Sequence, residues 1–123
     1  MVEEKKSVLV VDDEQSIRVL LRSILEQAGY TVDTAENGQT ALEKAQAKRY
    51  DAALIDIKLP DIDGTDLLLK LPTNQEMVKI IITGFSTPEE GAKAADRGAD
   101  EFLVKPVEPS ELLAALKERL AKL

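Results

Sequence analysis

The 123-residue chain contains no cysteine and no histidine. Without cysteine there is neither a disulfide framework nor a thiolate metal site, and a reducing, cytoplasmic setting is expected. Without histidine, imidazole catalysis and imidazole ligation are both excluded. Aromatic residues make up only 3% of the chain, so the core must be aliphatic and little surface is left on which nucleobases could stack. Basic residues are outnumbered 16 to 23 by acidic ones, giving a formal charge of −7. That balance speaks against direct binding of DNA or RNA. The start, with Glu3, Glu4, Lys5 and Lys6, is not followed by an apolar signal segment. No apolar run approaches the length of roughly 20 residues that a membrane helix needs.

The chain has 44% apolar and 32% charged residues, an ordinary soluble mix, and its length suits a single domain spanning residues 1–123. Short aliphatic runs alternate with helical periods. Val8–Val11 reads as a strand, followed by a helix with Ile17, Leu20, Leu21, Ile24, Leu25 and Ala28 on one face and Gly29 as its stop. Thr31–Ala35 reads as a second strand closed by a turn at Asn37-Gly38, before a short helix with Ala41, Leu42 and Ala45. Asp51–Asp56 gives a third strand. Pro60 and Gly64 then punctuate a loop ahead of a leucine-rich helix around Leu67–Leu71. Lys79–Ile82 gives a fourth strand. Thr87-Pro88-Glu89-Glu90 combines a capping box with proline at the first helical position, and that helix runs to about Arg97. Asp100–Val104 is a fifth strand, and Pro109 opens a last helix with Leu112, Leu113, Leu116 and Leu120. Strict alternation of five strands and five helices predicts a doubly wound parallel sheet covered on both faces.

Polar residues emerge where these strands end. Asp12 and Asp13 follow the first strand, Asp56 closes the third, Thr83 follows the fourth and Lys105 follows the fifth. In open α/β sheets the carboxyl edge is where ligands bind. Acids converging there repel one another unless a cation joins them, and magnesium favours a few carboxylates with water and phosphate oxygens. A carboxylate is also a nucleophile for phosphoryl transfer. A phosphoryl group on Asp56 needs charge neutralisation, which Mg²⁺ and Lys105 supply in this reading, and donors, for which Thr83 and backbone N–H groups are candidates.

Val11-Asp12-Asp13-Glu14, Asp56 followed by Leu59-Pro60-Asp61 and Gly64, Ile82-Thr83-Gly84 and Lys105-Pro106 appear in this order on these strand ends. In this the chain resembles the receiver domain of two-component response regulators, over roughly residues 7 to 122. The resemblance implies a flavodoxin-like sheet in the order 2-1-3-4-5. It also implies a phosphoryl group transferred to Asp56 from a phosphohistidine on a sensor histidine kinase or a His phosphotransfer protein. Asp13 and Asp56 would bind Mg²⁺ directly with the Lys58 carbonyl, and Asp12 partly through water. Thr83 and Phe102 match the family's switch pair, although an aromatic in a strand is also ordinary core. Lys105-Pro106 matches a peptide bond commonly cis in the family. The helices Thr87–Arg97 and Glu108–Leu120 are the expected homodimer or output-domain face, with an ordinary solvated face as the alternative. Gly91 among Ala92, Ala94 and Ala95 predicts a loosely held helix beside that face.

Lys58 and Phe85 occupy two positions that vary in the family and tune its chemistry. Phe85 is expected to restrict attacking water and lengthen the phosphorylated lifetime. Asp61-Ile62-Asp63-Gly64-Thr65 also spells the nucleophile signature of haloacid-dehalogenase-type phosphatases. There, however, the first aspartate directly ends a buried strand, whereas here Lys58-Leu59-Pro60 intervenes. A phosphorylation-independent interaction module is the other alternative. A flavodoxin-like phosphate-cradling loop is missing, since Asp12-Asp13-Glu14 stands in its place.

Overall fold

Val8, Leu9, Val10 and Val11 form an unbroken aliphatic run, and none is more than 1% exposed. A run buried on both faces belongs in the middle of a parallel sheet rather than on an antiparallel edge. The computed structural model describes residues 5–72, 76–84 and 87–123. It contains β1 (Ser7–Val11), α1 (Gln15–Gln27), β2 (Thr31–Ala35), α2 (Gly38–Ala47), β3 (Ala52–Ile55), α3 (Gly64–Lys70), β4 (Val78–Thr83), α4 (Pro88–Asp96), β5 (Glu101–Val104) and α5 (Pro109–Leu120). The five strands are parallel in the order β2-β1-β3-β4-β5, as the resemblance implied.

Successive strand residues point to opposite faces, and this splits the core in two. Leu9, Val11, Ala53, Ile55 and Ile81 pack with Ala41, Ala45, Leu67, Leu68 and Ala94, so α2, α3 and α4 cover one face. Val8, Val10, Leu54, Ile80 and Ile82 pack with Leu21, Leu25, Leu112 and Leu116, so α1 and α5 cover the other. No helix among the described residues is long and apolar enough to cross a membrane.

Three local expectations are corrected. Leu20 does not join the buried stripe of α1. It is 54% exposed, and Val19 beside it is 61% exposed. The helix needs only Leu21 and Leu25 to seal against the sheet, with Ile17 packed at the margin. Asn37-Gly38 is not a turn ending in loop. Asn37 is the N-cap of α2, its side chain accepting from Thr40 N at 2.7 Å, and Gly38 is the first helical residue. Gly64 is likewise helical, opening α3 behind the N-cap Asp63. Gly29 and Gly98 stop α1 and α4 at φ of 99° and 101°, a region that side chains disfavour.

Candidate functional site

Strand register brings the acids together. Val11 and Ile55 are paired on the adjacent strands β1 and β3, and the next residue of each is an aspartate. The ladder continues past the strands, with Asp56 N donating to Val11 O at 3.0 Å and Asp12 N to Ala35 O at 3.1 Å. Asp12 and Asp56 are therefore side by side and buried, at 3% and 7% exposure, while Asp13 faces solvent. One carboxylate oxygen from each of Asp12, Asp13 and Asp56 lies within 4.8 Å of the others. Such a set of hard oxygen donors, half buried and half open, fits a divalent cation that keeps part of its water.

Lys105 reaches this cluster from β5. Its backbone N donates to Thr83 O at 2.8 Å, and the Lys105–Pro106 peptide bond is cis. Its Nζ donates to Asp12 Oδ2 at 2.7 Å and to Asp56 Oδ2 at 3.0 Å. Burial works against charging this lysine, but the two carboxylates outweigh it and hold its pKa above the ordinary value. Asp12 is pushed up by burial, an effect that its bond from Lys105 and the Glu14 N–H at 2.9 Å only partly offset. Thr83, 1% exposed, shares with Asp13, Glu14, Asp56, Lys58, Gly84 and Lys105 a cavity of about 280 Å³ over the carboxyl edge.

Phe102 does not line that cavity. It pairs in register with Ile81, while Thr83 pairs with Val104, so Thr83 and Phe102 share the sheet face covered by α4. Phe102 is partly buried against the core and borders a small groove with Gly91, Ala94 and Ala95. Phe85 lies outside the described residues.

The Asp-x-Asp-Gly-Thr stretch carries structural hydrogen bonds. Asp61 accepts from Gly38 N at 2.8 Å and Gln39 N at 2.9 Å, so it caps α2 from another segment of the chain. Those two N–H groups hold its carboxyl below the ordinary range. Asp63 caps its own helix, accepting from Thr65 N at 2.8 Å and Thr65 Oγ1 at 2.6 Å. Gly64 is required by close approach: a Cβ there would stand 2.1 Å from the Asp56 carbonyl oxygen. Sequence reasoning missed further contacts made by two arginines, because the packing of α1 and α4 against the sheet selects their partners. Arg18 Nη1 donates to Asp12 O at 2.7 Å, and Arg97 Nη1 donates to Thr65 Oγ1 at 3.2 Å and pairs with Asp66.

Comparison with known proteins identifies the family and the fold. The family model of the response regulator receiver domain matches residues 8–117. The response regulator ArlR of Staphylococcus saprophyticus is 36% identical over 115 residues, which are 94% of this chain and 52% of ArlR. The chain therefore spans about half the length of the curated relatives it matches. A CheY-like receiver domain protein from Methanospirillum hungatei superposes with a TM-score of 0.92 at 38% identity, covering 97% of this chain and 96% of that one. The chemotaxis protein CheY4 of Vibrio cholerae gives a TM-score of 0.88 at 33% identity, covering 94% of this chain and 98% of that one.

Proposed function

The chain belongs to the response regulator receiver domain family, a family of signalling switches, and on that footing we propose that Asp56 is its phosphoacceptor. The observation that carries this reading is the Lys105 ammonium joined to Asp12 and Asp56 beside exposed Asp13, in one cavity with Thr83. The donor is a phosphohistidine on a sensor histidine kinase or a His phosphotransfer protein. An Asp56 carboxylate oxygen attacks phosphorus, the P–N bond breaks, and the imidazole leaves with its electron pair and takes up a proton. Asp12, Asp13, Asp56 and the Lys58 carbonyl would hold Mg²⁺, which would neutralise charge on the transferring group. Lys105 supplies a second positive charge and Thr83 a hydroxyl donor to the product.

The phosphoryl group adds about −1.5 to −2 charges at Asp56. Thr83 and Phe102, on the same sheet face next to α4, are positioned to convert that charge into a shift of α4. The α4–β5–α5 surface, where Val104 is 49% exposed, is the proposed homodimer or output-domain face. The protein acts as a cytoplasmic switch that loses its own phosphoryl group slowly rather than turning over a substrate.

Intact mass after incubation with Mg²⁺ and acetyl phosphate tests the reading. One added phosphoryl group is expected, lost in Asp56→Ala and after chelation. If neither acetyl phosphate nor a phosphohistidine donor adds mass, the domain is a phosphorylation-independent interaction module.

A further inference from the structure

The segment between β3 and α3 carries both the acceptor and Lys58, yet most of it is loop. Its two ends are closed on each other: Gly64 N donates to Ile57 O at 2.7 Å, and Lys58 and Asp63 form an isolated antiparallel bridge. Asp61 supplies the other hold. Its two carboxylate oxygens each take one of the first backbone N–H groups of α2, the positive end of a ten-residue helix. The fit there is tight, because a Cβ on Gly38 would stand 2.2 Å from Ile62 Cγ2. Helix α2 is itself anchored, with Ala41 and Ala45 buried in the core and Lys44 donating to the Thr34 carbonyl. The phosphoacceptor loop is thus fastened to a second, rigid element three residues beyond Lys58.

We propose that Asp61 is a positioning residue for the metal and phosphoryl site, holding the loop of residues 57–63 against the N-terminus of α2 so that Lys58 and Asp56 keep one geometry. The inference rests on the reading of Asp56 and its neighbours as a Mg²⁺ site. Partners that orient metal ligands without touching the metal typically change affinity by about 10–100-fold when removed. Asp61 is one such partner, acting through three residues of backbone.

The test is Mg²⁺ affinity, read from amide chemical shifts in ¹⁵N-labelled wild type, Asp61→Ala and Gly38→Ala. Each protein is first checked by circular dichroism to be folded at the assay temperature. Asp61→Ala is expected to weaken Mg²⁺ about tenfold and to speed exchange of the Gly38 and Gln39 amides in the absence of metal. Gly38→Ala, which presses on Ile62 from the helix side, is expected to weaken Mg²⁺ in the same direction, and Ile62→Ala added to it to restore binding. A lowered melting temperature with Mg²⁺ affinity within about twofold of wild type would make Asp61 a stability cap only and overturn the proposal. Weakening by Gly38→Ala that Ile62→Ala does not relieve would also count against it. Wild type that binds no Mg²⁺ would overturn the reading of the site, and the positioning role with it.

Discussion

The two halves of the sheet are built differently. Around β1 and β3 every strand residue from Val8 to Val11 and from Ala52 to Ile55 is at most 1% exposed, and both strands have a neighbour on each side. At the β5 edge, Leu103 is 7% exposed, Phe102 is half-buried, Val104 is 49% exposed, and adjoining α4 buries Ala94 among small residues. The acids follow β1 and β3, each of which is hydrogen-bonded to a strand on both sides. The β5 edge buries its side chains less completely, and burial is what holds an element in place. A phosphoryl site wants fixed geometry, while a signalling surface wants two accessible packings separated by a small free energy.

The comparison is broken most directly by matched truncations. Leu54→Ala, at the centre of the sheet, is expected to lower the unfolding free energy by about 2–5 kcal/mol. Phe102→Ala, half-buried, should cost roughly 1–2 kcal/mol despite its larger side chain. Urea denaturation measures both, and equal losses would erase the distinction. Next in size is Gly64→Ala. Its methyl has no room against Asp56 O, and a cost of about 1–3 kcal/mol is expected together with slowed phosphoryl uptake.

A smaller effect, with a pH signature, belongs to Tyr50→Phe. Tyr50 is 1% exposed and its hydroxyl donates to Asp33 Oδ2 at 2.6 Å. That bond is the main cause of the lowered Asp33 pKa, with Lys48 assisting against the opposing effect of burial. Tyr50 is pushed up in turn by its burial and by the carboxylate. Because the Asp33 pKa is depressed in the folded state, its contribution is fully present above the ordinary carboxylate value of 3.8 and is lost as pH falls through the folded value. The Asp33 side chain is 39% exposed, so solvent reduces the effect to about 1 kcal/mol. Stability of the two proteins measured from pH 7 downward should differ by a constant amount above pH 3.8 and begin to converge as pH falls below it. The smallest change is Gly91→Ala on α4. A Cβ there meets nothing within 4 Å, so about 0.4–1 kcal/mol of stabilisation is expected. Slower amide exchange confined to α4 would sharpen the contrast between the halves; an unchanged helix would blunt it.

Much of this was legible in the chain. Unalternated aliphatic runs such as Val8–Val11 announce strands buried on both faces, and their polar successors mark the functional edge. Glycine and capping signals placed the ends of α1 and α4 within a residue or two. Less was legible where one pattern has two outcomes. Asn-Gly serves a hairpin turn or a helix cap, and only the position of α2 over the sheet chose between them. Leu20 fits the apolar period of α1, but periodicity does not say how wide a stripe the sheet will cover.

The sequence by itself determined the alternation of elements, the identity of the acids, hydroxyl and lysine at the strand ends, and the absence of any imidazole or thiolate chemistry. Tertiary structure alone decided which residues meet. Lys105 reaches Asp12 across 93 positions of chain, and Asp61 reaches Gly38 across 23. Such contacts depend on strand order, register and helix placement, and those follow from the joint packing of the whole core rather than from any local pattern.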